Sequence, residues 1–165
     1  MAFADQLIEQ AHHLATREKT RPRQASLRRA VSTAYYALFH LLIQEATANW
    51  KRPAQRALLA RAFEHGRMRS VCHAKRSELA ALLKQQHGSP SGKRMGATQL
   101  HTVTDIFVLM QQQRHTADYD NSTRWTRIDV IGLIDDVAKA FHRWKSIRDE
   151  DLAQDFLIYL LIRDR

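Results

Sequence analysis

The sequence predicts an all-α protein, built as an antiparallel up-and-down bundle of four to five main helices with short helices between them. Glycine and proline are sparse, at 5 and 3 residues of 165, which favours long helices with few connections. Apolar residues recur at steps of three and four in several segments, and no segment has the alternation typical of a strand. With 44% hydrophobic residues, the chain suits one domain over residues 1–165.

The central helix of this bundle is predicted over residues 27–44, LRRAVSTAYYALFHLLIQ. Its steps of three and four define one apolar face, formed by Leu27, Ala30, Val31, Ala34, Tyr35, Leu38, Leu41 and Leu42. The opposite side near its start is expected to carry Arg28, Arg29, Ser32 and Thr33. We expect the helix to end near Trp50, because the residue before Pro53 is disfavoured in the helical conformation.

Shorter segments flank the central helix and are predicted in chain order. A first helix covers residues 3–16, and another covers residues 54–63. Residues 67–75 are expected to form a turn or a short helix, after which Ser77 would cap a helix over residues 78–86. GSPSGKRMG, residues 88–96, is the clearest loop signal in the chain.

The helix predicted over residues 98–116 directs an arginine to the edge of the core. Its apolar stripe has a 3-4-3 spacing, and the next step of four reaches Arg114; the stripe is Leu100, Val103, Phe107 and Met110. A cation in that place must be paired or face a cleft or a subunit interface, because an unpaired buried charge is costly. Asp118, four residues on, is the nearest partner for a structural ion pair.

Two helices are predicted to complete the chain. Residues 121–124 read as a turn, and Thr126 with Asp129 resembles a capping box. A helix follows over residues 127–148, and a final helix covers residues 151–163.

The net charge of +9 is concentrated in one part of the chain. Residues 17–76 contain 14 Lys and Arg against three Glu, a balance of +11. Such a segment attracts phosphate and favours nucleic-acid binding, although a solvated surface or an acidic protein partner would explain it equally. The candidate RNA contacts are Arg28, Arg29, Arg67 and Arg69.

Other features set the expected environment of the protein. The single cysteine, Cys72, excludes an internal disulfide and is expected to be a buried, inert thiol in a reducing compartment. The start has no secretory signal pattern, and no apolar run approaches the roughly 18 residues of a membrane span. No HExxH or CxxC occurs. We therefore expect a cytoplasmic protein with no membrane association, no metal and no cofactor.

The densest group of chemically capable side chains is RHTADYD, residues 114–120. It combines a fixed cation, an imidazole, two carboxylates and a phenol. Arg114 could bind a phosphodiester while His115 or Tyr119 moves a proton. Neighbours on a helix diverge by about 100°, so Arg114 and His115 face one point only if the helix ends there.

Two segments resemble signatures of the HEPN superfamily of small helical bundles. Residues 28–40, RRAVSTAYYALFH, are similar to the central-helix signature. Residues 114–120 resemble the Arg-x-x-Ala-Asp-Tyr block near the end of a later helix in the same families. The resemblance implies a bundle of four to five helices that forms a homodimer. Many relatives are metal-independent ribonucleases, often toxins neutralised by a nucleotidyltransferase-type partner.

The active motif implied by this resemblance is incomplete. It consists of Arg, a polar residue, a few further residues and a distal His. Arg114 and His115 match its first two positions, whereas Tyr119 stands where a histidine is expected.

Three functions remain open at this point. The first is a non-catalytic HEPN-like domain that binds RNA, a nucleotide or a cognate partner in a toxin–antitoxin or stress-defence context. The second is a metal-independent endoribonuclease acting across a homodimer cleft. The third is a structural or regulatory dimer held by Arg114 and Asp118. The missing histidine favours the first.

Overall fold

The computed structural model describes residues 2–85 and 92–162, and the regular elements of these residues are all α-helices. They are α1 (Phe3–Thr16), α2 (Gln24–Thr47), α3 (Pro53–Ala60), α4 (His65–Gln85), α5 (Gly92–Tyr119), α6 (Arg127–Ile147) and α7 (Asp151–Leu161). The prediction of an all-α helical bundle is confirmed. Four of these helices, α2, α4, α5 and α6, are long, and the other three are short.

The chain divides into two compact units. The first unit is Met1–Leu41 with Leu109–Phe141, and the second is Leu42–Val108 with His142–Arg165. Helices α2, α5 and α6 each contribute residues to both units. The interpretation of residues 1–165 as one domain stays a prediction.

Burial of α2 follows the predicted apolar face and extends beyond it. All eight residues of the predicted face are buried. Ser32 and Thr33 are buried as well, although they were predicted on the side opposite the apolar face. Their hydroxyl groups are satisfied, since Ser32 donates to Asp118 and Thr33 donates to the Arg29 carbonyl at 2.7 Å. The helix ends at Thr47, before the predicted end near Trp50.

Side-chain amides and guanidinium groups tie the segments of the first unit together. Gln24 pairs twice with the Trp125 backbone, donating to its carbonyl at 2.8 Å and accepting from its N–H at 2.9 Å. Arg127 donates to the Ala15 carbonyl at 3.2 Å and to the Glu18 carbonyl. These bonds join the start of α2 and the end of α1 to the segment that begins α6.

In the second unit, α4 packs against α7. The fully buried Trp144 of α6 lies against Phe156 of α7, with ring centroids 6.3 Å apart. An ion pair of 3.2 Å joins Arg148 to Glu45. The large aromatic contact dominates this packing, because partly exposed ion pairs contribute little to stability.

Helix α4 is continuous across the boundary that was predicted at Ser77. Residues 67–75, predicted as a turn or a short helix, are part of α4, and Ser77, the predicted cap, lies inside the same helix. Its hydroxyl donates to the His73 carbonyl at 3.1 Å and caps nothing. The buried face of α4 is narrow and consists of Met68, Cys72 and Leu79. Because charged residues surround these three positions in the sequence, the apolar periodicity is weak. Cys72 is fully buried, as predicted, and burial raises the pKa of its thiol.

The boundaries of α5 and α6 follow local chemistry. Helix α5 begins at Gly92, so the predicted loop is wrong over residues 92–96, while residues 88–91 lie outside the described residues. Gly96 and Ala97 are buried, and this burial offsets the low helix propensity of glycine. The predicted cap of α6 is confirmed, because the Asp129 N–H donates to the Thr126 hydroxyl at 3.2 Å.

Candidate functional site

The apolar stripe of α5 leads to Arg114, as the spacing predicts. The four stripe residues Leu100, Val103, Phe107 and Met110 have no exposed surface. At the next position the Arg114 side chain is 17% exposed. The guanidinium group therefore lies at the edge of apolar packing, where its partners decide whether it is stable.

Three kinds of contact hold the Arg114 guanidinium. Its Nε lies 2.8 Å from Asp118 Oδ2, in the ion pair that the i, i+4 spacing suggests. One Nη donates to the Tyr36 hydroxyl at 3.3 Å. The rings of Tyr35, Tyr36 and Tyr119 lie 5.7–6.0 Å from its central carbon, within cation–π range. Burial alone would lower the pKa of Arg114, but Tyr36 and Asp118 raise it above its ordinary value.

Helix α2 supplies a second set of contacts to this group. The Ser32 hydroxyl donates to Asp118 Oδ1, so the two carboxylate oxygens of Asp118 bind different helices. Ser32 and Tyr36 are four residues apart and lie on one face of α2. We call Ser32, Tyr36, Arg114, Asp118 and Tyr119 the Arg114 cluster.

His115 lies outside this hydrogen-bonded set. It is exposed, and its ring packs on that of Tyr119 with centroids 5.0 Å apart. Within the described residues, no hydrogen bond or ion pair joins His115 to Arg114 or Asp118. Helix α5 continues to Tyr119, so Arg114 and His115 diverge by about 100°. The structure thus brings Arg114, Asp118 and Tyr119 together and leaves His115 at the surface.

Arg28 closes the end of α5. Its guanidinium donates to three backbone carbonyls, those of Ala117 at 2.9 Å, Asp120 at 2.8 Å and Thr123 at 2.7 Å. The last carbonyls of a helix have no partner within it, and Arg28 supplies one from α2. A role of Arg28 in RNA binding stays a prediction. Binding a phosphate through its guanidinium would require Arg28 to break its hydrogen bonds to these carbonyls.

The turn after α5 is built on Asp120. Its carboxylate accepts from the hydroxyls of Ser122 and Thr123, each at 2.6 Å, and from the Ser122 N–H at 2.8 Å. These hydrogen bonds hold the pKa of Asp120 well below its usual range. Asp120 is therefore an ionised turn residue, unsuited to accepting a proton near neutral pH.

A basic surface lies in the second unit. We call residues 51–76 the basic segment, which contains eight Lys and Arg and a single Glu. Five of these cations are exposed and form no ion pair within the described part of the chain: Lys51, Arg52, Arg56, Arg61 and Arg69. Helix α3, near the start of the segment, contributes no buried residue.

The four candidate RNA contacts are therefore distributed over both units. Arg28 and the exposed Arg29 belong to the first unit, whereas Arg67 and Arg69 belong to the basic segment. Arg69 is exposed and Arg67 is partly buried.

Among residues 2–85 and 92–162, no three His, Cys, Asp or Glu side chains come together as metal ligands. No helix in these ranges is both long and apolar enough to cross a bilayer.

Comparison with known proteins gave no match to a protein-family model, to a curated protein or to a solved structure. The resemblance to the HEPN superfamily therefore stays a prediction that depends on residues 28–40 and 114–120.

Proposed function

We propose that this protein is a HEPN-like helical domain that binds RNA through its basic segment and does not cleave it. The observation that carries the proposal is the group of five exposed cations without an ion-pair partner in the described residues. Cations without carboxylate partners are available to phosphates, and each phosphate contact releases counterions from the nucleic acid.

Helix α3 supports this interpretation. Its eight residues expose Arg56 and Leu58, and Arg52 and Arg61 flank it. None of its residues is fully buried, and only Leu59 and Ala60 are partly buried, so the helix gains little stability from the core. A surface of this kind is suited to contact with a partner, and its charge favours a polyanion.

The Arg114 cluster argues against cleavage. Stabilising a phosphodiester in the transition state requires donors aimed at the developing charge. The Arg114 guanidinium instead faces Asp118 through Nε and Tyr36 through Nη. The adjacent imidazole of His115 packs on Tyr119 and forms no bond to this guanidinium in the described residues. In this proposal the cluster joins α2 to α5 and has no role in chemistry.

Other expectations from the sequence remain proposals of the same kind. These are a homodimer, a nucleotidyltransferase-type partner, a toxin–antitoxin or stress-defence context, and a cytoplasmic location. The endoribonuclease and the structural dimer remain the competing functions, and only the endoribonuclease predicts cleavage that Arg114→Ala abolishes.

The test compares two triple variants with equal charge changes. Arg56→Gln, Arg61→Gln and Arg69→Gln remove cations from the basic segment. The matched control, Lys139→Gln, Arg143→Gln and Lys145→Gln, removes exposed cations from α6. RNA binding by both proteins and the wild type is measured by fluorescence anisotropy over a range of salt concentrations.

We expect the first triple variant to bind single-stranded RNA at least about tenfold more weakly at 0.1 M salt. Its log–log salt slope should fall in magnitude by about 2, since each single-strand phosphate contact contributes about 0.7. The α6 variant should resemble the wild type. Equal binding by both variants, or wild-type binding that ignores salt, would contradict the proposal.

A further inference from the structure

A groove between α4 and α7 in the second unit has the size of a small-molecule site. Its volume is about 480 Å³, within the roughly 300–1,000 Å³ typical of ligand pockets. Its lining combines two cations, the carboxylate of Glu78, a hydroxyl and an apolar wall, and includes Arg67, Ser70, Val71, Lys75 and Tyr159.

The cations of the groove have unused donors. The Nε of Arg67 is buried and has no hydrogen-bond partner within residues 2–85 and 92–162. An unsatisfied buried donor is unfavourable. The remainder of the Arg67 side chain is partly exposed and lines the groove, where its other donors can meet an anionic ligand. The Lys75 side chain is 11% exposed, and its ammonium lies 2.8 Å from Glu78. An ammonium has three donors, so Lys75 has further capacity for a ligand.

The groove also presents an aromatic surface beside these charges. The Tyr159 side chain is more than half exposed, and the Lys75 ammonium lies 5.1 Å from its ring centroid. Val71 and Ile162 extend the apolar wall. A simple inorganic anion would use the cations alone, whereas a nucleobase would also cover the tyrosine ring.

We propose that this groove binds a nucleoside phosphate, with the phosphate on Arg67 and Lys75 and the base against Tyr159. Guanidinium groups bind phosphate oxygens with paired donors, and aromatic rings stack with bases of any sequence. The choice of ligand rests on the proposed RNA-binding function. The ligand is either a free nucleotide or the 5′-phosphorylated end of an RNA.

Calorimetric titration of the full chain with AMP and GMP tests the proposal. Adenosine and inorganic phosphate serve as half-ligands, and the variants are Arg67→Gln and Tyr159→Leu. Lys84→Gln is the matched control, because Lys84 is an exposed cation on α4 that does not line the groove. Circular dichroism establishes that each variant is folded.

We expect AMP or GMP to bind more tightly than either half-ligand. Arg67→Gln should weaken this binding about tenfold or more, as expected for a lost charged hydrogen bond. Tyr159→Leu should also weaken it, while Lys84→Gln should match the wild type. The proposal is overturned if neither nucleotide binds at about 1 mM. Equal binding by the wild type and both groove variants would overturn it too.

Two further arms identify the source of the ligand. A 5′-phosphorylated oligoribonucleotide that binds more tightly than its 5′-hydroxyl form, with the difference lost in Arg67→Gln, identifies an RNA end. AMP binding without that difference identifies a free nucleotide. Nucleotide binding without any RNA binding would support the groove and contradict the proposed function. RNA binding that depends on Arg56, Arg61 and Arg69, without nucleotide binding, would support the proposed function and contradict the proposal for the groove.

Discussion

The Arg114 guanidinium is held at the edge of the core by contacts from two helices. Asp118 on its own helix neutralises the charge at 2.8 Å, and Tyr36 of α2 accepts a hydrogen bond. Asp118 in turn accepts from Ser32. Each of these groups would lose a partner if one member were removed, so their effects on stability should not add independently.

A double-mutant cycle on Arg114 and Asp118 tests this coupling. Arg114→Ala should lower the free energy of unfolding by about 1–3 kcal/mol, because Asp118 and the Tyr36 hydroxyl lose a partner. Asp118→Ala should have a similar effect, and the coupling energy should be about 1 kcal/mol. The measurement is urea denaturation, and His115→Ala should stay within about 0.5 kcal/mol of the wild type. Strictly additive effects would show that the cluster does not act as a unit.

At the residue scale, the sequence predicts where a side chain lies on its helix better than it predicts which residues of other helices contact it. The 3-4-3 spacing places Arg114 at the core edge, and the i, i+4 rule suggests Asp118. Ser32 and Tyr36 lie 86 and 78 residues from their partners in sequence. Local periodicity carries no information about such pairs, since they form only when α2 and α5 pack together.

Among the elements, the end of α5 depends on a residue of α2. Arg28 satisfies the carbonyls of Ala117, Asp120 and Thr123, and the Asp120 turn follows directly. A planar guanidinium has donors in several directions, whereas an ammonium is a compact point charge. The three bonds therefore require arginine in this place.

We expect Arg28→Lys to destabilise the protein by about 2 kcal/mol, because a lysine cannot reach three carbonyls at once. Amide hydrogen exchange should rise mainly at residues 116–123, where the helix end loses its partners. Arg29→Lys is the control, since Arg29 is the exposed neighbour, and its effect should stay within about 0.5 kcal/mol. Equal stability of the two variants would contradict this role of Arg28.

Element boundaries were harder to predict than the elements themselves. The buried face of α4 consists of a few residues among many charges, and Ser77 suggested a helix start that does not exist. Tertiary burial outweighs such weak local signals. By contrast, the Thr126 cap of α6 could be predicted because its hydrogen bonds are local in sequence.

At the scale of the whole molecule, the Arg114 cluster and the exposed cations of the basic segment lie in different units. The first unit contains the Arg114 cluster, and the second contains the basic segment and the groove between α4 and α7. The charge excess could be counted from the sequence, since it needs no knowledge of packing. The groove could not be predicted, because it depends on α7 packing against α4, two helices that are distant in sequence.

Cleavage and retention of a mixed labelled RNA pool, in the presence of a chelator, test the central claim most directly. The wild type and Arg114→Ala are compared after circular dichroism has shown that both are folded. We predict that both proteins retain RNA on a filter and that neither yields cleavage products, because the His115 imidazole packs on Tyr119 and forms no bond to the Arg114 guanidinium in the described residues. Products formed by the wild type and absent with Arg114→Ala would contradict the account and identify a metal-independent endoribonuclease.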